Sequence, residues 1–183
     1  MVKKTAKASD SSSGNRREEI LEAAVQVFSE SGYYKTTTAH IAELAGISQP
    51  YIFKFFKNKE ELFIAALERA FDRILRSFAL AEAPPERLIP RLIEVYEGLM
   101  DTHRNEIIMQ MQAMVIPEEA IRQLVREKLW AIRTAVYERV VAAKLSDPDH
   151  VVSVFMSNGM LCNVAAVLQM PELKPAFTLK GTK

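Results

Sequence analysis

Apolar residues at Ile20, Leu21, Ala24, Val25 and Phe28 share one helical face, and Arg17, Glu18, Glu22 and Gln26 take the other. That 3.6-residue repeat predicts an amphipathic helix opening near Arg16, with Gly32 as a left-handed stop after Ser31. Residues 1–15 are Lys, Ser, Thr, Asp, Asn and Gly with almost nothing to bury, and they read as a disordered basic arm. Thr37 or Thr38 caps a short second helix over 39–44, which Gly46 ends. Ser48 then caps a third helix with Gln49 and Pro50 in its first turn, ending near Phe56. Asn58 and Glu61 form an N-cap pair for a fourth helix, and Leu62, Phe63, Ala66, Ala70, Phe71, Ile74 and Phe78 keep one of its faces apolar.

Pro84 and Pro85 break that helix. Four more are predicted, at about 86–102, 105–115, 118–143 and 148–168, divided by His103-Arg104, Pro117 and the Ser146–Asp149 turn. No stretch alternates as a strand would, and no internal repeat is present. The expected fold is therefore all-α. Its domains are an arm (1–15), a three-helix N-terminal unit (16–63) joined through a helix at 59–81, and a helical C-terminal domain (64–183).

Composition sharpens the picture in three places. The chain has 183 residues with 6 Gly and 8 Pro, few enough turn formers to require few, long helices. Its one cysteine, Cys162, lies in an apolar run and reads as a buried thiol, which leaves no internal disulfide and no multi-cysteine metal cluster. Net charge is +1, but residues 1–59 carry nine Lys/Arg against six Asp/Glu and the rest fifteen against seventeen, so the basic surplus lies with the N-terminal helices. The run 151–168 is interrupted by Ser153, Ser157, Asn158, Gly159 and Asn163 and predicts no membrane span. No apolar segment follows the N-terminal lysines as in a secretory signal, so a cytoplasmic location is expected. His40, His103 and His150 fall in separate elements without metal-ligand spacing, and neither a nucleophile elbow nor a phosphate-binding glycine loop occurs. Catalytic residues, metal and cofactor are all expected to be absent.

Two short helices joined by Ala45-Gly46-Ile47-Ser48 have the length and turn chemistry of a helix-turn-helix. The residues Thr37-Thr38, Ile41-Ala42, Ala45-Gly46-Ile47-Ser48, Phe53, Phe56, Lys59 and Leu62-Phe63 resemble the DNA-binding domain of the tetracycline-repressor (TetR) family of bacterial transcription regulators. The match covers about 16–63. The resemblance implies a third helix that lies in the major groove of double-stranded DNA, with Thr37, Thr38, Ser48, Gln49, Pro50, Tyr51, Phe53, Lys54, Phe55, Lys57 and Lys59 at the interface. Thr38 and Ser48 serve equally as helix caps, and a helix N-terminus can hold phosphate. Gln49 can read adenine, and Tyr51 and Lys54 project three residues apart. Lys59 in a first helical turn opposes the helix dipole unless an anion sits there, and the resemblance makes that anion a phosphate. The sequence departs from the family pattern at Pro50, Phe53 and Phe55, where glycine, tyrosine and a histidine or tyrosine are usual. Two phosphate-gripping side chains are thereby lost, and salt-sensitive contacts from Lys54, Lys57, Lys59, Lys3, Lys4, Lys7, Arg16 and Arg17 gain weight.

For the C-terminal domain the resemblance implies a homodimer through the last two long helices and a pocket for a small apolar effector among the middle ones. The pocket residues expected are Met100, His103, Met109, Gln112, Trp130, Met156, Met160 and Asn163, with Met111, Met114 and Gln110 beside them; methionines suit an adaptable wall and equally an ordinary core. The implied function is a sequence-specific regulator released from a palindromic operator by its effector. An architectural DNA-binding protein without an effector, or a helical scaffold that no longer binds DNA, remain the alternatives.

Overall fold

A computed structural model of the protein describes the backbone of residues 6–174 and side chains from Gly14 onward. Eight α-helices and two short 3-10 turns make up the described residues, with no strand among them. They are α1 (Ala6–Lys35), α2 (Thr38–Leu44), α3 (Gln49–Ile52), α4 (Lys59–Leu80), α5 (Leu88–Thr102), α6 (Arg104–Ala113), α7 (Glu119–Ala142) and α8 (Pro148–Leu168).

The backbone of 6–15 is helical and continuous with the amphipathic segment, and 1–5 of the expected arm lie outside the described residues. Once Ile20 to Phe28 are nucleated by packing, extending the helix backwards adds one backbone bond per residue fixed. Side-chain pairs help at the junction: Asn15 Nδ2 donates to Glu19 Oε1 at 2.7 Å, and Arg16 meets the other oxygen of Glu19 at 2.6 Å. Lys3 and Lys4 lie outside the described residues, as does the side chain of Lys7. Gly32 takes a positive φ, 73° with ψ 167°, a non-helical backbone that divides α1 into two helical runs.

Ile20, Leu21, Ala24 and Phe28 of α1 are buried against Leu62, Phe63 and Ala66 of α4, with the Phe28 and Phe63 rings edge to face at 4.8 Å. A fully buried Leu, Ile or Phe contributes roughly 1.5–3 kcal/mol by removal from water, so this seam anchors the N-terminal helices. The same α4 continues into the C-terminal domain, where Phe71, Ile74 and Phe78 are buried among α5, α7 and α8. The guanidinium of Arg139 on α7 donates to the carbonyls of Phe78 and Ala81 and so closes the C-terminal end of α4.

Helix α6 lies across α1 and α4 and is tied to both. Glu106, 5% exposed, accepts two hydrogen bonds from Arg73 at 3.0 and 3.2 Å and faces Arg69 Nη2 at 3.6 Å. Arg69 in turn reaches Glu18 on α1 at 2.9 Å. Six residues further along α6 from Glu106, Gln112 Nε2 donates to the Ser29 carbonyl of α1 at 3.0 Å. Lys128 of α7 bonds Asp72 of α4 at 2.7 Å; burial disfavours its charge, but the bond and the Asp72 and Glu68 carboxylates outweigh that and hold its pKa above the usual lysine value.

Candidate nucleic-acid interface and effector cavity

The turn between α2 and α3 is built by backbone geometry. Ile47 N–H bonds the Ala42 carbonyl at 3.0 Å and Gly46 N–H the Glu43 carbonyl at 3.1 Å, with Gly46 at φ 64°. This paired closure demands a left-handed residue just past the helix, which glycine adopts without strain. Ile41 and Ala42 are buried beneath it and Ile52 is buried on α3, so the two helices share an apolar seam. Thr37 is the α2 cap: its hydroxyl accepts from His40 N–H at 3.2 Å.

α3 is shorter than its sequence pattern predicts. It spans Gln49–Ile52, and a turn closed by Lys54 N–H to Tyr51 O and Phe55 N–H to Ile52 O carries the chain onward. Apolar residues continue to Phe56, but Phe56 turns into the core at 2% exposure while Phe53 stays 48% exposed, so one helical face cannot bury both. Ser48 occupies the N-cap position, yet its hydroxyl makes no capping bond, contrary to the expected cap.

The outward face carries Ser48, Gln49, Pro50, Phe53, Lys54 and Lys57, all exposed. Gln49 Nε2 donates to Thr38 Oγ1 at 2.9 Å, which fixes the glutamine amide against α2. Tyr51 is half-buried, its ring 5.4 Å from that of Phe55 and capped by the Lys54 ammonium at 4.8 Å. Lys59 has partners within the chain: its ammonium donates to the Tyr33 and Tyr34 carbonyls at 2.8 and 3.3 Å and lies 4.7 Å from the Tyr33 ring centroid. The cation satisfies the orphan carbonyls at the end of α1, and that offsets its unfavourable place in the first turn of α4. Arg16 is paired with Glu19, and Arg17 stacks over Phe56 at 5.2 Å.

In the C-terminal domain a cavity of about 70 Å³ lies among α4, α5, α6, α7 and α8, its walls formed chiefly by Phe71, Phe78, Tyr96, Leu129 and Phe155. Met156, Met160 and Asn163 line it, together with Met114 and Gln110. The other expected residues lie elsewhere. Met109 is fully buried in the main core, and Met100 packs with Ile107 and Cys162. His103 caps the α5–α6 junction beside Thr102, and Gln112 is spent on α1. Trp130 is 66% exposed on α7, beneath the Arg133 guanidinium at 5.3 Å. Sequence spacing gives the face of each helix but not its rotation toward its neighbours, so a methionine in the core and one in a cavity wall look alike.

Tyr96 donates its hydroxyl to Asn163 Oδ1 at 2.6 Å, and burial pushes the phenol up to about 12. Burial likewise raises the Cys162 thiol, with the Glu97 carboxylate adding to the shift, so the buried thiol keeps its proton.

Residues 20–66 match the sequence profile of the bacterial regulatory proteins, tetR family. The chain is 31% identical over 148 residues to the uncharacterized HTH-type transcriptional regulator YhgD of Bacillus subtilis, with 74% of this chain and 75% of that protein covered. The chain belongs to the TetR family. Another relative is the biofilm operon icaADBC HTH-type negative transcriptional regulator IcaR of Staphylococcus epidermidis, 25% identical over 136 residues, covering 74% of this chain and 71% of IcaR. Other curated matches are confined to less of their partner, 42% and 33% of its length in two cases. Among solved structures, a TetR-like transcriptional regulator from Rhodococcus sp. RHA1 superposes with a TM-score of 0.69 at 25% identity, covering 86% of this chain and 87% of that one. The TetR-family fold, an N-terminal helix-turn-helix followed by a helical domain, is thus the fold of this chain.

Proposed function

We propose that the protein is a dimeric, sequence-specific repressor that binds a palindromic operator through α3 and leaves it when a small, largely apolar effector enters the C-terminal cavity. The observation that carries the DNA-binding part is the exposed face Ser48, Gln49, Pro50, Phe53, Lys54 and Lys57 on a glycine-closed turn. Gln49 offers an amide for a base edge, Phe53 an apolar surface for a thymine methyl, and the lysines charge for phosphates. Thr37, Thr38, Tyr51 and Phe55 support this face from behind, and Lys59 keeps a third N–H for a phosphate while it closes α1. The repressor sign is supported by the relative IcaR, a negative regulator by name.

The dimer reading rests on α7 and α8. By length and composition α8 could cross a membrane, and only 28% of its apolar stretch is buried within the chain. Family membership favours a second copy over lipid as its cover. Leu161, Leu168 and Val141 expose apolar surface there, and Trp130 borders a groove shared with Met156. A twofold pair would set its recognition helices about 34–36 Å apart on one side of the duplex. Such a regulator works in the cytoplasm.

Selection of sites from a random duplex pool by the full-length protein tests the reading. An inverted repeat is expected, and Gln49→Ala/Lys54→Ala, both exposed positions, should abolish its recovery. Recovery of random sequence would favour an architectural role, and no recovery a scaffold that has lost DNA.

A further inference from the structure

The cavity's chemistry narrows what can occupy it. Gln110 on α6 is 3% exposed and lines the cavity, yet its Nε2 has no hydrogen-bond partner. A buried donor without a partner carries a desolvation penalty that persists until something accepts from it. The neighbouring polar groups do not serve. Tyr96 and Asn163 bond each other, and neither accepts from Gln110. Apart from Glu97 and the Cys162 thiol, the remaining walls are aromatic, aliphatic or thioether, and no Lys, Arg or His is among the described lining residues.

An anionic group would therefore enter without a counter-charge and lose its hydration uncompensated. The one charged lining residue, Glu97, faces Lys174 at 3.7 Å beyond the end of α8, so it does not call for a cationic guest. The volume of about 70 Å³ is roughly half of the 150 Å³ that holds benzene in an engineered protein cavity. Met114, Met156 and Met160 can swing to widen it for a guest of ring size.

We propose that the cavity takes an uncharged, largely apolar molecule carrying one hydrogen-bond acceptor, and that this acceptor is held by the side-chain amide of Gln110. The inference rests on the cavity being the effector site and adds the chemistry of the guest. It also explains how the guest is felt at a distance. Gln110 sits one turn beyond Glu106, which grips Arg73 and Arg69 of α4, and two residues before Gln112, which bonds Ser29 of α1. A pull on the Gln110 amide is a pull on the helix that holds both.

Three probes of nearly equal size separate the possibilities: acetophenone (neutral, one acceptor), ethylbenzene (no acceptor) and benzoate (anionic). The full-length protein, carrying 13C-methyl methionine and 15N glutamine, is titrated with each. Methyl shifts at Met114, Met156 and Met160 report occupancy, and the Gln110 side-chain NH2 reports the bond. Acetophenone is expected to bind about tenfold tighter than ethylbenzene and to move the Gln110 NH2 signal, with benzoate leaving both silent. In Gln110→Leu the two neutral probes should bind alike; should that variant not fold, the wild-type comparison and the NH2 signal decide. Equal binding of acetophenone and ethylbenzene by the wild type, or tighter binding of benzoate, would overturn the proposal while leaving the cavity a binding site. No methyl shift with any probe would overturn the effector reading itself, and the proposal with it.

Discussion

Glu106 is the residue whose loss the fold should feel most sharply for its size. It is 5% exposed, both its oxygens accept from Arg73, and Arg69 closes on it at 3.6 Å. Glu106→Gln keeps the shape and removes the charge, leaving two guanidiniums to share a neutral amide. Arg69, its side chain 13% exposed, still has Glu18 at 2.9 Å, but its Nε already lacks a partner. Arg73, 30% exposed, can turn partly to water. Breaking a fully buried pair costs about 3–5 kcal/mol, and the access of Arg73 to solvent lowers this to about 2–3 kcal/mol. For a chain of this length that corresponds to roughly 5–10 °C in Tm. Urea denaturation followed by far-ultraviolet circular dichroism, at fixed protein concentration, measures the loss as a lower midpoint with an unchanged slope. The control is Glu106→Leu with Arg69→Met and Arg73→Met, which removes the three central charges, leaves the exposed Glu18 to water and should stay within about 1 kcal/mol of wild type. A loss below about 0.5 kcal/mol in Glu106→Gln, or an equally large loss in the triple variant, would refute the argument that an uncompensated charge is the cause.

Gly32→Ala should destabilise by about 1–3 kcal/mol, because φ 73° with ψ 167° belongs to a region nearly closed to residues with a Cβ; thermal unfolding measures it. The Tyr96 phenol is raised to about 12 in the folded chain from an ordinary value of 10, so its share of stability is complete below pH 10 and lost as pH rises toward 12. That fall amounts to at most about 2.7 kcal/mol and should be missing from the pH dependence of urea midpoints in Tyr96→Phe; identical curves would contradict it. Lys54→Gln and Lys57→Gln should each reduce the slope of operator affinity against salt by about one, with base preference kept, as read by fluorescence anisotropy across a salt series.

The elements that announce themselves in the sequence do so through local chemistry. Thr37 and Asn58 cap the helices they precede, the second by accepting from Glu61 N–H at 2.8 Å, and α8 begins at Pro148 and ends at Leu168 as the pattern predicts. What stays hidden depends on partners far along the chain. Lys59 looks misplaced until the carbonyls of Tyr33 and Tyr34 come to meet it, and Glu106 looks like a surface residue of a short helix until α4 brings two arginines beneath it. α3 is misjudged for a different reason. Its aromatic run continues the apolar pattern past Ile52, and only the tertiary core decides that Phe56 goes in while Phe53 faces out. In the cavity, Met156 and Met160 are foreseeable as apolar, but the choice between them and Met109 rests on helix rotation.

The DNA-facing helices are not a detachable cassette. Their first helix finishes its packing only against α6, through Gln112 to Ser29 and through the Glu106–Arg69–Glu18 chain, and Tyr34 reaches still further, donating to Glu118 before α7 at 2.8 Å. On the ribosome, α1 therefore waits for residue 113 to clear the exit tunnel before it is covered. Exchanging recognition helices between relatives has the same constraint. A graft cut after α3, or even after α4, severs α1 and α4 from the α6 side chains that fit them, whereas one that carries α6 along keeps both sides of the joint.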